Sequence, residues 1–278
     1  MEKIIEYMLA EDEGFGDITS NAVVEEGKVV TGSIVSKDEG ILAGIDIIRE
    51  LFEEYGVKVN FWLKDGTEIS KGDILMSFLG DARTILLLER TALNLSMRMS
   101  GVATAAHHYV DLVKDYDVRV AGTRKTSPAL GKFDKYALKV GGADTHRFGL
   151  DDMVLIKDNH IATCKSPLDA LLKAKENTSF SKKIEIEVES LDDAIECVKN
   201  GADIVMLDNM GPTEVENVIA ELEKLDIRHN SLIEVSGGIT EKTIMDYAKL
   251  GVDIISIGAL THASRSLNFS LNIEDSQS

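Results

Sequence analysis

The chain has 278 residues, 44% hydrophobic and 28% charged, the balance of a folded globular protein of one large domain or two modest ones rather than a disordered or fibrous chain. Thirty basic against 48 acidic residues leave a net charge of −18, which argues against a phosphate backbone or an anionic membrane as partner. No run reaches the roughly eighteen apolar residues of a membrane span, the acid-rich start MEKIIEYMLAEDEGFGD does not read as a signal peptide, and two cysteines cannot frame a disulfide scaffold, so a cytoplasmic protein is expected.

In chain order, residues 2–10 read as a short amphipathic helix stopped by the Gly14–Gly16 region. Strands are expected over Val29–Val35, Lys58–Leu63 and Ile74–Leu79, divided by the turn signals Lys64-Asp65-Gly66 and Lys71-Gly72-Asp73. Gly40 to Tyr55 reads as a helix with Ile45, Ile48 and Leu51 on one face. Ala82 to Met99 reads as another, broken at Gly101, with a further helix over Ala103–Val113.

Beyond residue 117 a rhythm begins. Short apolar runs at Val118–Ala121, Met153–Ile156, Lys183–Val188, Asp203–Leu207, Leu232–Val235 and Asp253–Ile257 each end in polar residues and lead into a helical stretch. Buried parallel strands read as such runs, and the spacing suits βαβ units. Six units predict a β/α barrel, incomplete or closed by another element, with its site at the carboxyl ends of the strands. An open doubly wound sheet is the alternative, but no GxGxxG follows a strand to support dinucleotide binding.

Those strand ends carry the chemistry. Residues 121–160 hold seven basic groups against five acids, a net positive window in an acidic chain. Arg124, Lys125 and Lys157 follow two strands directly and would converge as an anion pocket, the alternative being a solvated rim. His146 beside Arg147 favours the same anion contact. Glu185 and Glu187, two apart on a strand, share one face, and inside a barrel they would need a cation to meet them. Asp208 ends the next strand within reach of Glu187, a pairing that suggests Mg²⁺ carried in with a phosphorylated substrate. A salt-bridge network with nearby lysines is the alternative. Ser236-Gly237-Gly238 and Gly258-Ala259 follow the last two strands, where barrels commonly hold a phosphate.

Several blocks resemble the quinolinate phosphoribosyltransferase family: Gly122-Thr-Arg-Lys-Thr-Ser-Pro128, Lys135-Tyr-Ala, Gly141-Gly-Ala-Asp-Thr-His-Arg-Phe148 and Val154-Leu-Ile-Lys-Asp-Asn-His-Ile161. The likeness extends to Glu11-Asp12, Gly16-Asp-Ile-Thr, Glu89-Arg-Thr-Ala-Leu-Asn94, Ser100-Gly-Val-Ala-Thr104, Leu207-Asp-Asn-Met210 and Val235-Ser-Gly-Gly-Ile-Thr240, in order along nearly the whole chain. The resemblance implies an N-terminal α/β sandwich of residues 1–103 joined by the tail 264–278, and an incomplete, six- or seven-stranded β/α barrel over 104–263. It implies a pentosyltransferase of NAD biosynthesis that converts quinolinate and phosphoribosyl pyrophosphate, with Mg²⁺, to nicotinate mononucleotide, pyrophosphate and CO₂. Carried over residue by residue, Arg124, His146 and Arg147, with Arg90 of the partner subunit, would hold the quinolinate carboxylates. Lys125 and Lys157 would neutralise carboxylate and pyrophosphate charge, and Glu187 and Asp208 would bind the metal and the ribose hydroxyls. These four are the catalytic set. Ser236, Gly237 and Gly258 would cradle the 5′-phosphate with His262 close by, in a homodimer or a hexamer of dimers. One departure stands out: the family has Gly-Leu-Arg or Gly-Phe-Arg after Pro128, whereas this chain has Ala129-Leu130-Gly131, leaving Lys132 as the substitute cation. The rival readings are a paralogue of the same fold acting on a different pyridine-like acid, a barrel lyase forming a Schiff base on Lys125 or Lys157, and a non-catalytic phosphate sensor.

Overall fold

A computed structural model describes residues 3–275, and the chain divides into two compact units. The first holds the chain up to His107, Ser127–Gly142 and the segment from Ala263; the second holds His108–Thr126 and Ala143–His262.

In the first unit, helices α1 (Lys3–Glu13) and α2 (Ile18–Val23) come first. Ile5 and Leu9 are the buried face of α1, and the Asp17 carboxylate caps α2 by accepting the Thr19 and Ser20 N–H groups at 3.1 and 2.9 Å. Strands β1 (Val29–Ser36), β2 (Gly40–Ile41), β3 (Lys58–Trp62), β4 (Glu68–Ile69) and β5 (Ile74–Asp81) follow, with α3 (Ile45–Glu54) between β2 and β3. β1 pairs antiparallel with β5 and with the C-terminal strand Phe269–Asp275, and β5 pairs with β3. The tail is therefore a strand of this sheet. Helix α3 presents Ile45, Ile48 and Leu51 to the core as its spacing predicts, with the Phe52 ring tilted against that of Phe78, centroids 5.0 Å apart. It starts at Ile45 rather than Gly40: Gly44 takes φ +90, and Gly40–Ile41 is drawn into the short β2–β4 pair.

The long helix α4 (Ala82–Leu112) corrects another expectation, because it runs unbroken through Gly101. A Cβ at Gly101 would stand 2.2 Å from the Arg265 carbonyl oxygen. The glycine lets the returning tail lie against the helix; it does not end it. Helix α5 (Gly131–Val140) belongs to this unit for a similar reason. Gly141 lies so close to α4 that a Cβ would meet the Ala103 carbonyl at 2.3 Å, and Arg98 forks onto the fully buried Asp134 at 2.9 and 2.8 Å. Residues 127–142 therefore fall outside the barrel to which the sequence reading assigned them.

The second unit is a six-stranded, all-parallel sheet: β6 (Arg119–Ala121), β7 (Val154–Ile156), β8 (Ile184–Val188), β9 (Ile204–Asp208), β10 (Leu232–Ser236) and β11 (Ile254–Ser256), in the order β6-β11-β10-β9-β8-β7. That is chain order read around a circle, with one seam between β6 and β7, so the barrel is open with six strands. At the seam Asp144 makes a one-residue parallel bridge to Ala121. Its N–H donates to Val120 at 2.8 Å and its carbonyl accepts from Gly122 at 2.9 Å. The short α6 (Asp158–Ile161) follows β7, and α7 (Pro167–Asn177), α8 (Leu191–Lys199) and α9 (Pro212–Lys224) cover the sheet, burying Leu171, Val198, Val215 and Leu222. Short helices α10 (Ile244–Ala248) and α11 (Ala259–His262) flank β11. Among the described residues no helix is long and apolar enough to cross a membrane.

Candidate active site

The carboxyl ends of the six parallel strands surround a cavity of about 400 Å³ in the second unit. Arg124, Lys125, His146, Arg147, Lys157, Glu187, Asp208 and Ser236 all line it. All but His146 and Arg147 come from the end of a strand or from the loop that follows, because a parallel strand delivers its last residues and its loop to the same rim. The bridge at Asp144 brings the His146-Arg147 pair to that rim beside β6.

Glu187 and Asp208 stand on adjacent strands. The Lys157 ammonium donates to the Glu187 carboxylate, which is otherwise largely enclosed. Burial pushes the Glu187 pKa up, and the Lys157 charge and hydrogen bond oppose that rise. Asp208 accepts from the Asn209 side chain at 2.7 Å. Two carboxylates facing one cavity, with space for further oxygen ligands, form a donor set of the kind Mg²⁺ takes when phosphates complete its shell.

Arg124 and Arg147 are a like-charged pair over the same cavity. Burial first, and then the Arg124 charge, lower the Arg147 pKa, while Glu185 and Glu187 work the other way. Two guanidiniums that repel each other are relieved by an anion between them. Below them the inward face of the sheet carries Glu185 and Glu234, both fully buried, and His146 Nε2 lies 3.4 Å from one oxygen of each. Burial lowers the His146 pKa and the Glu185 and Glu234 carboxylates raise it, while the Arg147 N–H donated to Nδ1 at 2.8 Å opposes a second ring proton. Burial, and then the Glu234 charge against the His146 bond, raise the Glu185 pKa.

Glycines shape the other side of the rim. Gly237 takes φ +96, and a Cβ there would stand 2.2 Å from Asn209 Oδ1, so the ends of β9 and β10 interlock only without a side chain. A Cβ at Gly258 would meet Lys125 Cδ at 3.0 Å and the His262 ring at 3.4 Å, which places these three residues together. Thr261, from α11, donates to the Lys125 carbonyl at 2.7 Å and holds that loop. Gly238, at φ +61, faces open space. Two expected residues lie elsewhere. Arg90 is on α4 in the first unit, lining a cavity of about 300 Å³ with Glu11, Asp12, Asn94 and Arg98. Lys132 is an exposed residue of α5, also in the first unit, and is not among the residues that line this cavity. Glu234, Ser256 and Thr261 were not singled out from the sequence. An acid within the apolar run Leu232-Ile-Glu-Val235 was the one signal for Glu234.

Comparison with known proteins agrees with this geometry. Residues 17–100 match the model for the quinolinate phosphoribosyl transferase N-terminal domain, and residues 102–272 that for the C-terminal domain. A probable nicotinate-nucleotide pyrophosphorylase (carboxylating) from Methanocaldococcus jannaschii is 50% identical over 275 residues, 98% of this chain and 96% of that one. The nicotinate-nucleotide pyrophosphorylase (carboxylating) of Mycobacterium leprae is 38% identical, covering 97% and 95%. The crystal structure of NadC from Streptococcus pyogenes superposes with a TM-score of 0.91 at 36% identity, covering 98% of this chain and 97% of that one.

Proposed function

The chain belongs to the quinolinate phosphoribosyltransferase family, and from that premise we propose that its strand-end cavity is the active site. The reaction is that of a nicotinate-nucleotide pyrophosphorylase (carboxylating): quinolinate and phosphoribosyl pyrophosphate give nicotinate mononucleotide, pyrophosphate and CO₂. The observation that carries the assignment is one cavity lined both by the cations Arg124, Lys125, Arg147 and Lys157 and by the carboxylates Glu187 and Asp208.

In the transfer step the pyridine nitrogen forms a bond to ribose C1′ as the C1′–oxygen bond to pyrophosphate breaks. Positive charge develops on the ribose and negative charge on the leaving group, so the catalyst required is a fixed electrostatic field. Lys125 and Lys157 neutralise the pyrophosphate, while Glu187 and Asp208 face the ribose and its hydroxyls. Mg²⁺, when bound through Glu187, Asp208 and the substrate's own oxygens, supplies further neutralisation of the leaving group. Arg124 and Arg147 hold the two pyridine carboxylates, and Ser236, Gly237 and Gly258 receive the 5′-phosphate. The ring nitrogen is then cationic. The bond from C2 to its carboxylate breaks, CO₂ leaves, and the electron pair left on C2 is stabilised by the adjacent charge until it takes a proton. No dedicated base is needed.

Arg90 lies outside this cavity. Its place in the first unit supports a dimer in which Arg90 of the partner subunit completes each site.

Asp208→Asn and Glu187→Gln test the assignment. Formation of nicotinate mononucleotide should fall by about a hundredfold or more in each, with quinolinate affinity by calorimetry held within about twofold. Quinolinate affinity lost in step with turnover in both variants would contradict it.

A further inference from the structure

We propose that Glu185 and Glu234 are positioning residues for quinolinate: the two buried carboxylates grip the Nε2–H of His146 and thereby aim Arg147 into the substrate cavity. The proposal rests on the reading of Arg147 as a ligand of the pyridine carboxylates.

The tautomer follows from the backbone. His146 Nδ1 accepts the Arg147 N–H at 2.8 Å, and a ring nitrogen that accepts carries no proton of its own. The ring proton is therefore on Nε2, which stands 3.4 Å from Glu185 Oε2 and 3.4 Å from Glu234 Oε2. The same tautomer speaks against a metal ion, although His146, Glu185 and Glu234 bring donor atoms within 4.8 Å of one another. A ligating Nε2 must offer a lone pair, and its Nδ1 would then be the donor.

Neither Glu185 oxygen nor Glu234 Oε2 makes a hydrogen bond among the described residues, and the contact each carboxylate has with His146 Nε2 is a polar approach of 3.4 Å. Glu234 Oε1 accepts from the buried Ser256 hydroxyl, which fixes the angle of that carboxylate. Two acids buried at such cost call for a partner, and the His146 ring stands 3.4 Å from both.

The ring stands between two cavities. His146 and Arg147 line the substrate cavity and also a second cavity of about 390 Å³, among Arg119, Ile204, Leu232 and Ile254 at the strand starts. There is open space on both sides of the pair. His146 also takes φ +51, a left-handed conformation that a residue with a side chain keeps only where its surroundings impose it. Asp144 accepts the His146 N–H at 2.7 Å from one side of this turn, and the carboxylates hold the ring from the other. With the turn so fixed, the next side chain, Arg147, is directed at the cavity it shares with Arg124.

Glu185→Gln and Glu234→Gln keep the side-chain shape and remove the charge; Arg147→Ala is the reference. The KM for quinolinate should rise about tenfold in each Gln variant, the scale of a lost supporting contact, with the KM for phosphoribosyl pyrophosphate and the melting temperature near wild type. Glu234→Asp, which keeps the charge, should recover part of the loss and stands in should either Gln variant fail to fold. An unchanged quinolinate KM in the Gln variants beside a large rise in Arg147→Ala overturns the positioning role and leaves the pocket standing. An unchanged quinolinate KM in Arg147→Ala removes the pocket reading, and the proposal with it. Both KM values rising together with a fall in melting temperature would mean a purely structural role. Mn²⁺ held by substrate-free protein and lost in Glu185→Gln would make the cluster a metal site instead.

Discussion

Ala129 shows how much one position can record. It sits at φ +65, in the left-handed region, where the resemblance to the family leads one to expect glycine. A methyl group there crowds the following carbonyl, a strain of about 1–2 kcal/mol, whereas glycine would return about 0.4–1 kcal/mol through a freer unfolded chain. The first quantity wins. Ala129→Gly is therefore expected to stabilise the protein by about 0.5–1 kcal/mol in denaturant unfolding, the reverse of the usual effect of an added glycine. A loss of that size would show the strain to be relaxed elsewhere. At this scale the sequence was informative where charge stands at the end of an apolar run: Lys157, Glu187 and Asp208 could be read in that way. Glu234 could not. One acid among apolar neighbours does not say which face it takes, and only the pairing of β10 between β9 and β11 turns it inward towards His146.

Elements were legible where periodicity alone decides them. The six barrel strands fall within a residue or two of the apolar runs, and the buried face of α3 is the one its spacing marks. The errors share a cause. Gly101 is a breaker by local propensity and the run from Gly40 reads as helix, yet each is set by a contact distant in sequence: the Arg265 carbonyl against Gly101, and Thr104 Oγ1 against the place where a Gly40 Cβ would stand. Helix α5 was misplaced for a related reason. Arg98 and the buried Asp134 lie 36 residues apart, and no local signal joins them. Tertiary contact overrode propensity in all three cases.

At the scale of the molecule, the division into two units gives the proposed dimer a consequence that can be measured. Arg90 belongs to the first unit and Lys125 to the second. Arg90→Ala and Lys125→Ala are each expected to be inactive; when their subunits exchange, a mixed dimer has one site with both lesions and one with neither. Random pairing makes about half the dimers mixed, so roughly a quarter of all sites should recover. If Arg90 served its own chain, exchange proven by mass spectrometry of tagged subunits would restore nothing. The central claim, that this cavity turns a pyridine dicarboxylate into a nucleotide with loss of one carboxylate, has a more direct test. Nicotinate lacks the second carboxylate and would leave a buried guanidinium unpaired, a penalty of ~2–5 kcal/mol. With phosphoribosyl pyrophosphate and Mg²⁺, quinolinate labelled in its 2-carboxylate should release CO₂ and pyrophosphate one for one, while nicotinate reacts at least about thirtyfold more slowly; pyrophosphate without CO₂, or comparable rates with the two pyridines, would contradict the account.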